Sequence, residues 1–263
     1  MRIFGGLAAL GLLVACSAGA DQNASQNVSQ DAAQPLSAAH PKGHYDALNA
    51  LPDWGGVWVL ARQRRGPNDP APEQPAFKGE YLAKLEAWQK EVRDNAGVVR
   101  KDRSNCMPPG MPGMMGTGQY PIEFLFTPGR VTMHVEAWMQ WRSVYTDGRT
   151  QPDDWEAGIF GFSAGHWEGD TLVVETTGIK PITELQTGVT HGPNLKISER
   201  FHLDPENPDQ LVLEMTLEDP DALEKPWNRR FVYNRQRDWS LIEFICAEND
   251  RNPVDAEGHT QFE

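Results

Sequence analysis

Apolar and polar residues alternate at every second position through much of the chain after residue 120, which is the period of a half-buried strand. Residues 171–177, TLVVETT, are a β-branched run of this kind. They follow Trp167-Glu168-Gly169-Asp170, which reads as a turn, and an extended glycine-rich segment over 158–166. Together these predict a β-hairpin over 160–177. Residues 123–127 and 130–140 flank Pro128-Gly129 and predict a second hairpin. Another strand is expected over 141–146, ended by Asp147-Gly148, and further strands over 195–203, 211–218, 229–235 and 239–247. With the tryptophan-bearing segment 54–61, the pattern predicts about ten strands. A helical period occurs over 77–95, where Tyr81, Leu82, Leu85, Trp88 and Val92 form one apolar stripe.

Alternation also sorts the faces. Leu195, Ile197, Phe201 and Leu203 share a face with Glu199, a carboxylate among apolar neighbours that must be paired or hydrogen-bonded if buried. Over 130–140 one face carries Val131, Met133, Val135, Ala137 and Met139, and the other Thr132, His134, Glu136, Trp138 and Gln140. Leu211, Leu213, Met215 and Leu217 make a wholly apolar face. Both faces of 239–247 are largely apolar, which predicts a strand covered on its outside by the helix. No helices alternate with the strands, which argues against a doubly wound α/β fold. The expected class is all-β and mainly antiparallel: an about ten-stranded β-barrel with one covering helix.

Composition changes this picture at the termini. The chain has 263 residues and a net charge of −13, which argues against binding nucleic acid through its phosphates. Arg2, the apolar run 4–14 and then Leu13-Val14-Ala15-Cys16 resemble a bacterial lipoprotein signal with its lipobox. Residues 1–15 are therefore expected to be a signal peptide, with Cys16 lipidated. By resemblance to enterobacterial sorting rules, Ser17 after that cysteine favours the outer membrane, so the expected location is the periplasm, anchored to the outer membrane by lipidated Cys16 as the sole membrane contact. Residues 16–50 are rich in Ala, Ser, Gln, Asn and Asp and read as a flexible tether. The barrel domain is expected over 51–263. Cys106 and Cys246 form an even pair in an exported chain, so a disulfide between them is expected, with two buried free thiols as the alternative.

Several residues are candidates for chemistry. Gly161-Phe162-Ser163-Ala164-Gly165 matches the nucleophile-elbow pattern, but a β-branched strand follows where a helix is needed. Ser163 is therefore expected to be a strand residue. The segment 106–116 holds four methionines among prolines and glycines, which fits an adaptable wall or lid better than a soft-metal site. His134 and Glu136 lie two apart and could chelate, yet no metal site or cofactor is expected. Of two functional readings, the first leads and the second is its alternative. In the first, the barrel binds an apolar or aromatic small molecule. Nine tryptophans favour it, with Trp58, Trp138, Trp141 and Trp167 as walls and His134, Arg142, Tyr145 and Glu199 as polar partners. In the second, His191, Glu199 and Asp147 converge for general acid–base catalysis as a lyase, isomerase or hydrolase. A barrel filled by its own side chains and working through its surface would answer to neither.

Short motifs add a resemblance. Gly56-Val57-Trp58 is similar to the G-x-W signature of the first lipocalin strand. Cys106-Met107-Pro108-Pro109-Gly110, Tyr145-Thr146-Asp147-Gly148-Arg149, the run 165–178, Glu199-Arg200-Phe201, Asp219-Pro220, Pro226-Trp227 and 243–249 resemble a group of exported bacterial proteins of unassigned function. The resemblance spans roughly residues 50–250. It implies an exported, β-rich, lipocalin-like barrel and carries no substrate and no catalytic residues.

Overall fold

A computed structural model describes residues 45–61, 72–95, 107–116 and 120–245. The barrel strands are β1 (Val57–Leu60), β2 (Ile122–Thr127), β3 (Arg130–Val135), β4 (Gln140–Tyr145), β5 (Phe162–Glu168), β6 (Thr171–Thr177), β9 (Lys196–Leu203), β10 (Gln210–Glu218) and β11 (Trp227–Gln236). They close in the order β1-β11-β10-β9-β6-β5-β4-β3-β2. Between β6 and β9, two short strands, β7 (Glu184–Gln186) and β8 (Val189–Thr190), form a separate two-stranded sheet. Neighbouring strands are antiparallel except β4 and β5, which run parallel through Val144–Ser163 and Tyr145–Ala164. The hairpin over 160–177 forms as β5 and β6, with Glu168 opposite Thr171, so Gly169-Asp170 alone makes its turn.

The expected all-β, mainly antiparallel barrel with one substantial helix is found, and details of it change. The barrel has nine strands, not ten, because residues 239–245 form no strand. β11 already pairs with β10 on one side and with β1 on the other. A closed barrel has no edge left to accept another strand. Trp239 and Ile242 are consequently exposed. The expected strand 130–140 is broken after Val135 by a short 3-10 turn, where Trp138 and Met139 have φ of 55° and 48°. Residues 45–50, read above as tether, form a 3-10 helix. The signal peptide, Cys16, Cys106 and Cys246 lie outside the described residues.

The helix α1 (Gly79–Asp94) is present but does not cover the last strand. Its Trp88 lies against Gly188, between β7 and β8, where a Cβ would come within 2.5 Å of the indole. Of its stripe, Tyr81 is buried, Leu85, Trp88 and Val92 are half-buried, and Leu82 is exposed. The helix therefore packs against the small two-stranded sheet, with Tyr81 reaching the hydrophobic core.

Inward positions follow the pleat. Leu211, Leu213, Met215 and Leu217 face inward on β10 and are buried, as are Ile197, Glu199 and Phe201 on β9. The turns β2–β3 and β5–β6 lie at one mouth. There Trp54 packs edge-on to Phe124 at 5.2 Å and Trp167 at 5.4 Å, and Phe126 lies 5.6 Å from Trp54. Below this cap the Arg235 guanidinium sits 4.6 Å over the Trp58 ring and bonds Asp53 and the Pro208 carbonyl.

The other end is filled by the methionine loop. Met111, Met114 and Met115 are fully buried. The Tyr233 hydroxyl donates to the Met115 carbonyl at 2.5 Å, and Thr183 donates to the Met111 carbonyl at 2.6 Å. Burial pushes the Tyr233 pKa well above its usual value, so the hydroxyl stays protonated and remains a donor. Gly110 enters the loop at φ 63°, with no room for a side chain beside Ile159 and Thr183. Each buried methionine contributes roughly 1.5–3 kcal/mol, so the loop is part of the core.

Candidate functional site

Inside the barrel, Arg142 and Glu199 form a fully buried ion pair from β4 to β9. Arg142 Nη1 donates to Glu199 Oε1 at 2.9 Å, and Nη2 donates to Oε2 and to Thr176 Oγ1. Its Nε donates to Ser163 Oγ at 3.1 Å, and Ser163 Oγ lies 2.9 Å from Thr176 Oγ1. Period-two alternation brings these side chains inward from four strands. Both carboxylate oxygens and all three guanidinium nitrogens are engaged, which is what a buried charge pair needs. The serine of the elbow-like motif is thus a buried β5 residue held by an arginine.

The three acid–base candidates lie apart, and no hydrogen bond or ion pair joins any two of them. Glu199 belongs to the ion pair. Buried His191 faces carbonyls: Nδ1 donates to Gly192 O at 2.6 Å, and Nε2 lies 3.1 Å from Lys180 O and 3.0 Å from Thr183 Oγ1. Burial lowers its pKa, outweighing those contacts and the nearby Asp219. Asp147 is exposed after β4 and takes a fork of hydrogen bonds from Arg149, which holds its pKa down.

The ligand-wall candidates divide by parity. Trp58, Arg142 and Trp167 face inward. Because Arg142 points in, Trp141 and Tyr145 point out. Trp141 stacks on His134 at 3.8 Å on the outer face and is 50% exposed. Burial lowers the pKa of His134. Tyr145 stacks on Phe162 under the Arg149 guanidinium. Trp138, in the left-handed turn, packs against Phe244 and Tyr120. An interior site made of all these residues is therefore not the arrangement found, since adjacent strand positions cannot both face the lumen.

A groove of about 320 Å³ opens at the aromatic-capped mouth. Leu48 and Leu51 form one wall, and Phe126, Val131 and Trp167 the other. Arg130, Thr146 and Asp147 supply the polar groups. The Pro128-Gly129 turn sets the lip, and Trp167 reaches it because β5 ends there. Asp147 and Trp167, candidates for different reasons, meet at this groove. The contributions of Leu48 and Arg130 were not anticipated. Leu48 lay in apparent tether, although Leu48 and Leu51 at helical spacing were a signal. Arg130 carried no signal beyond its place beside the turn.

Among the described residues, no group of three or more His, Cys, Asp or Glu side chains could hold a metal ion, and no helix is long and apolar enough to cross a membrane. Comparison with protein-family models and with curated proteins finds no match to this chain.

Proposed function

We propose that this protein is a barrel that binds a small apolar or aromatic molecule at its mouth. The interior of such a barrel can in principle hold a ligand, but here the packed side chains and the methionine loop direct attention to the mouth groove. That groove carries the reading. Its volume of about 320 Å³ falls within the range of small-molecule pockets, which favour barrel mouths. Its walls are aliphatic and aromatic, with few polar groups to orient a ligand. The lipobox-like segment ending at Cys16 supports placing this binding in the periplasm, tethered to the outer membrane through lipid alone.

Trp167 makes the reading testable, because a ligand against its ring alters its emission. Titration with naphthalene derivatives is expected to change tryptophan fluorescence in a saturable way, and Trp167→Phe is expected to remove most of the change. A flat response across a broad aromatic panel defeats the proposal.

A further inference from the structure

The mouth groove is also lined by a cation, Arg130, for which no counter-ion is found among the described residues. Its buried Nε has no hydrogen-bond partner among the described residues. No carboxylate there lies within ion-pair distance of its guanidinium. The nearest acid of the groove, Asp147, is already committed to Arg149 through Oδ1 and Oδ2. That pair is neutral as a unit, so the groove keeps one uncompensated positive charge beside apolar walls, in a chain whose net charge is −13. Other partnered arginines show the contrast. Arg142 has Glu199, and Arg235 has Asp53 and Asp209. Arg229, half-buried at the opposite end, has Trp227 and Phe231 rings at 4.9 and 4.5 Å. Among the described residues, Arg130 has neither acid nor ring.

We propose that the groove is selective for an acid: a small molecule with a flat or aliphatic body and one carboxylate, whose oxygens accept hydrogen bonds from Arg130 while the body lies against Trp167, Phe126 and Leu51. A guanidinium fork matches a planar carboxylate, and a charge-assisted pair at a partly desolvated site is stronger than a neutral one. This inference rests on the mouth groove being the binding site, and it adds the chemical class of the ligand.

The test is calorimetric titration of the full-length protein with 1-naphthoate and with 1-naphthamide, which match in shape and differ in charge. The acid is expected to bind at least tenfold tighter. Arg130→Gln is expected to bring the acid down to the affinity of the amide and leave the amide unchanged. Arg130→Lys, which keeps the charge and loses the fork, is expected to retain part of the preference, and it serves if the glutamine variant does not fold. Equal affinity for acid and amide in the parent protein, or a preference that survives in Arg130→Gln, overturns the proposal while leaving the groove reading intact. Binding of neither compound overturns both.

Discussion

Arg142 on β4 and Glu199 on β9 meet inside the barrel with every polar atom of both head groups engaged, and neither side chain is more than 1% exposed. Removing one charge leaves the other buried without its partner. Glu199→Gln is expected to cost about 3–5 kcal/mol, the usual penalty for breaking a buried pair. Replacing both residues, as Arg142→Met with Glu199→Met, is expected to recover much of that loss. Urea unfolding of the single and double variants measures it. A Glu199→Gln variant within about 1 kcal/mol of the parent contradicts the account.

Acid is expected to destabilise the fold over the histidine range. Burial holds the His191 and His134 pKa values below the ordinary 6.5, so the folded state resists protons that the unfolded chain accepts. Their contribution is complete above pH 6.5 and falls as the pH drops below it. Asp147, held below 3.8 by Arg149, adds its loss only at much lower pH. Unfolding followed between pH 7.5 and 5.0 checks the slope, which His191→Asn should flatten. Stability that rises on acidification in that window contradicts the assignment.

Thr183 fastens the methionine loop, donating to the Met111 carbonyl and lying beside His191. Thr183→Val leaves that buried carbonyl short of a partner, at an expected cost of about 1–3 kcal/mol. Thr127→Val, at a half-buried site of the mouth hairpin, is the comparison and should cost less. Equal losses in the two variants point away from a fastening role.

The groove predicts a local effect as well. Leu48→Asp places a charge in the apolar wall facing Trp167 and is expected to weaken binding of neutral aromatic ligands by at least about tenfold, with little change in unfolding midpoint. Fluorescence titration beside a thermal melt separates binding from folding. Unaltered affinity places the ligand elsewhere.

Much of the wall was legible because its period is short. Glu199 stood out as a carboxylate among Ile197, Phe201 and Leu203, and it is buried and paired as that pattern demands. The segment 239–245 misled because apolar residues on both faces look alike in a covered strand and in a tail outside a closed barrel. Trp141 and Arg142 were both placed in the lumen, although adjacent strand residues must diverge.

The sequence by itself determined most of the barrel strands, the inward faces of β9 and β10 and the mainly antiparallel class, since side-chain alternation and turn residues act over a few positions. Only the tertiary structure decided the closure at nine strands, the partner of Glu199 and the groove formed by Leu48, Arg130 and Trp167. Those depend on which strands meet and in what register, a matter of contacts between residues tens of positions apart that no local pattern encodes.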